Sequence, residues 1–244
     1  MSDHQWNPDS RSLQGLEVVV FARTPREAEH SALSSEVLEA EEAVADIVRA
    51  VVAHGGVVTL FGDESLAMVA LTVAGEYTTP QLQEEREAPR VLTFIPSREE
   101  AGVSREEGGD PFDVFGRFGI GSFERVGNPV RLLADRAGTA AAMVIVGDAP
   151  ERAIATFREH AKGAPVFAIA ASGGLARAVA DGYVKEADGV RALDREIEDD
   201  PRYALKRDVV EGDENRERVL PPVALAAQRL VEELRDTKGR SNER

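Results

Sequence analysis

The 244-residue chain predicts an α/β fold, a doubly wound and mainly parallel sheet with helices on both faces. Three observations predict it. Short apolar runs of strand length alternate with amphipathic runs of helix length, which is the rhythm of parallel strands joined by crossover helices. Three of those strands leave through a glycine turn that feeds a helix, at 62–65, 147–150 and 172–174. The chain has no cysteine, so no disulfide supports it and apolar burial must hold the core.

Residues 1–14 are polar, with Trp6 and Leu13 as the only anchors, and are expected to form a disordered arm. Leu16–Ala22 reads as a buried strand that Pro25 ends, since proline cannot extend a ladder and biases Thr24 away from helix. A helix follows over Glu36–His54. Its Val37, Val44, Ile47, Val48 and Val51 recur at three- and four-residue steps, and Gly55-Gly56 stops it. Val57–Gly62 is the second strand. Ser65 is the expected cap of the next helix, which carries Leu66, Val69 and Val73 inward.

Arg90–Ile95 is the third strand, closed by Pro96-Ser97. Over 97–128 the phenylalanines at 112, 115, 118 and 123 lie among glycines at 116, 119 and 121, a pattern that favours a loop packed through its rings. Pro129–Arg136 is a short helix and Ala141–Val146 a buried strand. Asp148 is the expected cap of a helix that buries Ile154, Phe157 and Ala161. Pro165–Ala171 is read as the last strand, and Leu175, Ala176, Val179 and Ala180 lie on the helix after it. Near the C-terminus, Val223, Ala227, Leu230 and Leu234 form a stripe that fits a helix docked on its own domain. The expected organisation is the arm over 1–14, a sheet domain over 15–190, a helical extension over 191–236 and a disordered tail over 237–244.

Acidic residues outnumber basic ones 44 to 29, a formal net charge of −15. That balance opposes binding to nucleic acid and to anionic membranes, because the phosphate attraction that drives both becomes repulsion. The histidines at 4, 30, 54 and 160 lack the i,i+4 pairing of a zinc face, and no metal site is expected. No apolar run reaches membrane-spanning length and the N-terminus lacks the form of a signal peptide, so the expectation is a cytoplasmic protein.

In a parallel sheet the three glycine turns share the carboxyl edge, where ligands of such sheets collect. Free amides at the following helix starts suit an anion there. With the turns so placed, successive blocks of the chain resemble the SLOG superfamily, the Rossmann-like fold that includes DprA and the lonely-guy (LOG) proteins. The blocks are Phe21-Ala22-Arg23-Thr24-Pro25, His54-Gly55-Gly56 with the strand to Gly62, Val144-Ile145-Val146-Gly147-Asp148, and Ala171-Ser172-Gly173-Gly174-Leu175-Ala176. The resemblance covers about 16–182. It implies a pocket for nucleotides or nucleotide-derived signals such as ADP-ribose derivatives, and a homodimer.

The chain departs from that family's pattern at two turns. Asp63 stands where the first turn has its second glycine. Gly147-Asp148-Ala149-Pro150-Glu151 lacks the GGxGT backbone and the catalytic acid of the members that hydrolyse nucleoside monophosphates. Both aspartates are expected to oppose a phosphate unless Arg23, Arg152 or Arg177 offsets them. The leading expectation is a non-catalytic sensor of a nucleotide-derived small molecule, with no cofactor. Its site residues are Arg23, Thr24, Gly62, Asp63, Glu64, Ser65, Gly147, Asp148, Ser172, Gly173, Gly174 and Arg177. A LOG-like phosphoribohydrolase with Glu64 or Glu151 as general acid is the enzymatic alternative. An interaction platform using 112–123 and the last helix is the third.

Overall fold

A computed structural model describes residues 12–25, 35–77, 90–97, 110, 112–200 and 222–242. Most of the expected arm and part of the 97–128 segment lie outside them.

The first strand, β1 (Glu17–Arg23), is followed by α1 (Ser35–Ala53), β2 (Val57–Gly62), α2 (Glu64–Glu76) and β3 (Val91–Pro96). Next come a short helix α3 (Asp113–Arg117), β4 (Ser122–Val126), α4 (Pro129–Ala137), β5 (Ala140–Gly147) and α5 (Glu151–His160). The chain continues through β6 (Val166–Ile169), α6 (Gly174–Ala180), β7 (Arg191–Ala192) and α7 (Leu193–Asp199), and α8 (Pro222–Asn242) is the C-terminal helix.

The seven strands form one sheet in the order β4-β3-β2-β1-β5-β6-β7, and every pairing is parallel. This is a Rossmann-like α/β fold. The chain winds outward from β1 to β4, then crosses to β5 and winds the other way, so the topological switch lies between β1 and β5.

Strand periodicity divides the core in two. Val18, Val20 and Ala22 of β1 join Val58, Leu60, Ile95, Val144 and Val146 under α1, α2, α7 and α8. Their neighbours Val19 and Phe21 face the other way, with Phe61, Phe94, Met143 and Ile145 under α4, α5 and α6. Strands buried on both faces read as unbroken apolar runs, which is why the central ones were legible. On the second face Phe21, Phe61 and Phe94 stack in a row across three strands, with centroids 5.8 and 5.2 Å apart.

The structure corrects the sequence reading at several elements. Pro165–Ala171 is not the last strand, because β7 pairs with β6 beyond it. Within the 97–128 segment the described part holds α3 and the edge strand β4 rather than a loop alone. The rings do pack there, with Phe112 fully buried against Phe123 at 5.2 Å, while Phe118 stays exposed. The C-terminal helix extends to Asn242, across most of the stretch expected as a tail. It packs on α1 and α7 of its own chain through Val223, Ala227, Leu230, Val231 and Leu234.

Candidate functional site

At the carboxyl edge of the sheet a cleft of about 790 Å³ opens beside the switch point. That is within the roughly 300–1,000 Å³ of small-molecule sites. Its lining comes from five successive strand exits. Phe21 and Arg23 close β1; Asp63, Glu64 and Ser65 follow β2; Pro96 ends β3; Gly127 to Val130 follow β4; Pro150 and Arg152 follow β5.

Three helices of ordinary length begin beside this cleft. The cap of α2 is Asp63 rather than Ser65, with Oδ1 accepting from the Leu66 amide at 3.1 Å and from Ser65 Oγ at 2.9 Å. Asn128 caps α4 by accepting from the Arg131 amide at 3.1 Å, with Pro129 in the first turn, where a missing N–H costs nothing. The cap position of α5 is Pro150, which has no side chain to offer. The cap position is thus not Asp148, and Pro150 makes no side-chain hydrogen bond to the first-turn amides of α5.

Asp63 does more than cap. Its Oδ2 accepts from both the amide and the hydroxyl of Thr24, each at 2.7 Å, so the carboxylate ties the exit of β1 to the start of α2. Four donors thus satisfy the charge that the sequence suggests would oppose a phosphate. Thr24 is engaged in this tie behind the cleft, and Gly62 lies beneath it, where an added Cβ would stand 3.0 Å from the Ala22 carbonyl.

Glu64 stands at the cleft wall, about half exposed, with Oε1 accepting from Arg125 Nη1 at 2.7 Å. Arg125, on β4, is itself fixed. Its Nε donates to Asp110 at 2.6 Å, its Nη1 also reaches the Pro96 carbonyl at 3.3 Å, and its guanidinium lies 5.9 Å from the Phe112 ring centroid. Hydrogen bonds donated to Asp110 and then to Glu64 hold its pKa above the ordinary arginine value despite partial burial. Its Nη2 is buried without a partner among the described residues, a cost of about 1–3 kcal/mol that the bonds on Nε and Nη1 must offset.

Arg23 and Arg152 differ from it. Both line the cleft, and neither carries an ion pair among the described residues.

The remaining expected residues sit at the same edge but do not line this cleft. At Gly147, with φ of +64°, an added Cβ would fall 2.0 Å from the Arg23 carbonyl oxygen; at Gly174 it would fall 2.7 Å from the Asp148 amide nitrogen. These glycines let the exits of β1, β5 and β6 pack backbone to backbone. Ser172 is fully buried, its hydroxyl donating to the Ile169 carbonyl at 2.6 Å and accepting from the Gly147 amide at 2.8 Å. Over Gly173 lies the Glu36 carboxylate, ion-paired with Arg177. The structure therefore gathers Arg23, Asp63, Glu64 and Ser65 in one cleft and separates Gly147, Asp148, Ser172, Gly173, Gly174 and Arg177 from it.

Sequence reasoning missed Pro96 and Gly127 to Val130 as lining and Arg125 as the support of Glu64. Asn128-Pro129 was a legible signal, a capping residue followed by proline. Arg125 left none, since its partners lie 15 and 61 residues away in sequence.

Among the described residues no cluster of His, Asp and Glu could hold a metal ion, and no helix is long and apolar enough to cross a membrane.

No family model and no curated protein matches the chain. Among solved structures it is similar to the structural-genomics crystal structure of TM1055, at 14% identity over 70% of this chain and 84% of that one, with a TM-score of 0.38. It is also similar to the MAR1 ribonuclease from Caenorhabditis elegans, at 9% identity over 74% of this chain and 78% of that one, with a TM-score of 0.36.

Proposed function

We propose that the cleft binds a small nucleotide-derived molecule, a nucleoside phosphate or an ADP-ribose-like compound, and that the protein is a binding module of divergent SLOG type. The observation that carries this reading is the pair Arg23 and Arg152, neither with an ion pair among the described residues, near the start of α5, whose cap residue Pro150 makes no side-chain hydrogen bond. In a chain with a net charge of −15, two such arginines beside first-turn amides make one locally cationic spot suited to a phosphate. Phe21, Pro96, Pro129 and Val130 supply apolar wall for a ring.

Of the two acids considered for a hydrolase, Glu151 is exposed and lines no part of the cleft, while Glu64 is engaged by Arg125. Neither has the dry, apolar setting that a general acid uses. The binding reading therefore has the better support.

Thermal unfolding with AMP, ADP-ribose, cyclic ADP-ribose and NAD tests it, since a ligand at about 100 times its Kd stabilises by about 2.7 kcal/mol. At least one is expected to raise the midpoint. Arg23→Ala and Arg152→Ala are each expected to weaken that ligand about tenfold, the weight of one charge-assisted hydrogen bond. If none of the four moves the midpoint, the reading is wrong.

A further inference from the structure

A second cavity shares no lining residue with the cleft. It is a groove of about 490 Å³ where α1 meets α8. Alanines at 50 and 53 on α1 and at 224 and 227 on α8 leave the room between the helices, and Tyr77, at the end of α2, adds an aromatic wall. The groove is therefore apolar on its floor and suited to a flat ring.

One end of it is closed by the start of the described chain. The Leu13 amide donates to the His54 carbonyl at 2.9 Å, and Arg235 Nε donates to Ser12 Oγ at 2.8 Å. His54 on the α1 side and Arg235 on α8 both line the groove, so Ser12 and Leu13 bridge its two sides. Lys238 Nζ fixes the same turn through the carbonyls of Ser12, at 3.2 Å, and Gln14, at 2.9 Å. Leu13 is fully buried. The other apolar anchor read in the arm is Trp6, the chain's only tryptophan, which lies outside the described residues.

Reach and chemistry both fit that indole. Along α8 the groove runs about 16 Å from Ala224 to Arg235, and six residues of extended chain before Ser12 span about 20 Å. A buried indole N–H needs an acceptor. His54 supplies one, because its Nδ1 sits 2.7 Å from the Ala50 carbonyl, which can only accept; the proton is on Nδ1 and Nε2 of the neutral ring is the acceptor. Tethering decides the occupant. A side chain held six residues from the rim has an effective concentration on the order of millimolar, ahead of a free ligand or a second copy at lower concentration.

We infer that the groove between α1 and α8 is the docking site of the protein's own N-terminal arm, with the Trp6 indole seated on the alanine floor against Tyr77. The arm then straps the C-terminal helix to α1.

Because Trp6 is the only tryptophan, its fluorescence reads the groove in the full-length protein. The experiment compares emission maximum and acrylamide quenching, native and in urea, for wild type, Ala53→Lys and Ala224→Glu, with circular-dichroism melting and light scattering alongside. Each new side chain lies in the groove and suits the dipole at its own helix end. Native wild type is expected to emit at shorter wavelength than the urea-unfolded chain and to be quenched several times less. Both variants are expected to move these values toward the unfolded ones while still melting cooperatively. If either fails to do so, the other and Tyr77→Ala carry the same comparison. Trp6→Ser is expected to lower the melting temperature by about 2–4 °C, the shift for 1 kcal/mol in a chain of this size.

Unfolded-like emission and quenching in native wild type overturn the inference, as does a Trp6→Ser midpoint equal to that of wild type. Protection that persists in every groove variant also overturns it, since the indole is then buried elsewhere. So does protection that vanishes on dilution as a dimer dissociates, because the arm of a second copy then fills the groove.

Discussion

Asp63 shows how far a single residue's role depends on its neighbours in space. In sequence it replaces a glycine at a turn suited to phosphate, and its charge counts against a ligand. In the structure it accepts four hydrogen bonds, two from Thr24, one from Ser65 Oγ and one from the Leu66 amide. Removing it uncaps α2 and strips the Thr24 amide of its partner. A lost cap costs about 0.5–2 kcal/mol and an unsatisfied buried donor about 1–3. Asp63→Gly is therefore expected to lower stability by about 2 kcal/mol in urea unfolding, with no gain in pyrophosphate affinity. A variant that is as stable as wild type, or that binds pyrophosphate more tightly, would return Asp63 to the role of a repelling charge. What was legible here was the turn and the presence of a cap; which of Asp63 and Ser65 capped was not. That choice was settled by Thr24, 39 residues earlier, which locality does not reveal.

Among elements, the strand exits matter most. Glycine turns suggested open cradles, yet at β5 and β6 the glycines serve close packing of one exit on another. The distinction is testable because the chain offers an internal control. Gly147 and Gly163 both have positive φ, but an added Cβ meets the Arg23 carbonyl oxygen at 2.0 Å in the first and nothing within 4 Å in the second. Alanine at 163 is expected to cost only the left-handed backbone strain, about 1–2 kcal/mol. Alanine at 147 must also push β1 from β5, at a cost of about 4 kcal/mol or more, or a failure to fold. Equal losses in urea titrations of the two variants would mean that the exits are not interlocked.

The central strands β1, β2, β3, β5 and β6 were readable because burial on both faces leaves continuous apolar runs. The two edge strands were not. Ser122–Val126 is partly exposed with charged residues at 124 and 125, and Arg191–Ala192 has two residues, so neither carries a periodic signal. The cleft inherits this gap. Its walls from β1 and β2 were legible, whereas Arg125 and Gly127 to Val130 sit on or beside β4. Strand order, which places them opposite Glu64, is set by tertiary pairing alone.

For the molecule as a whole, the acidic charge acts on stability as well as on partner choice. At a net charge of −15 the compact state repels itself more than the expanded chain does. Two carboxyls on α1 add to this. Burial raises the pKa of Asp46 above 3.8, although its hydrogen bond with Arg49 works the other way. Burial also raises Glu39 above 4.5, with Glu42 and then Asp194 adding repulsion. A carboxyl whose pKa is raised on folding holds its proton more tightly in the folded state than in the unfolded chain. Protonation therefore favours folding, and the gain is lost as pH climbs from the unfolded value through the folded one. The window opens at about 4 and extends upward, opposite to that of a salt-bridged carboxylate with a depressed pKa. Stability is thus expected to be higher at pH 4.5 than at pH 7.5 in low salt, and Asp46→Asn is expected to flatten that slope. Added sodium chloride is expected to raise the pH 7.5 melting temperature toward the pH 4.5 value by screening the self-repulsion. Melting curves at the two pH values, each at low and moderate salt, measure all three effects. A melting temperature that falls on going from pH 7.5 to 4.5 would mean that carboxylates stabilised by ion pairs outweigh the buried acids and the net charge together.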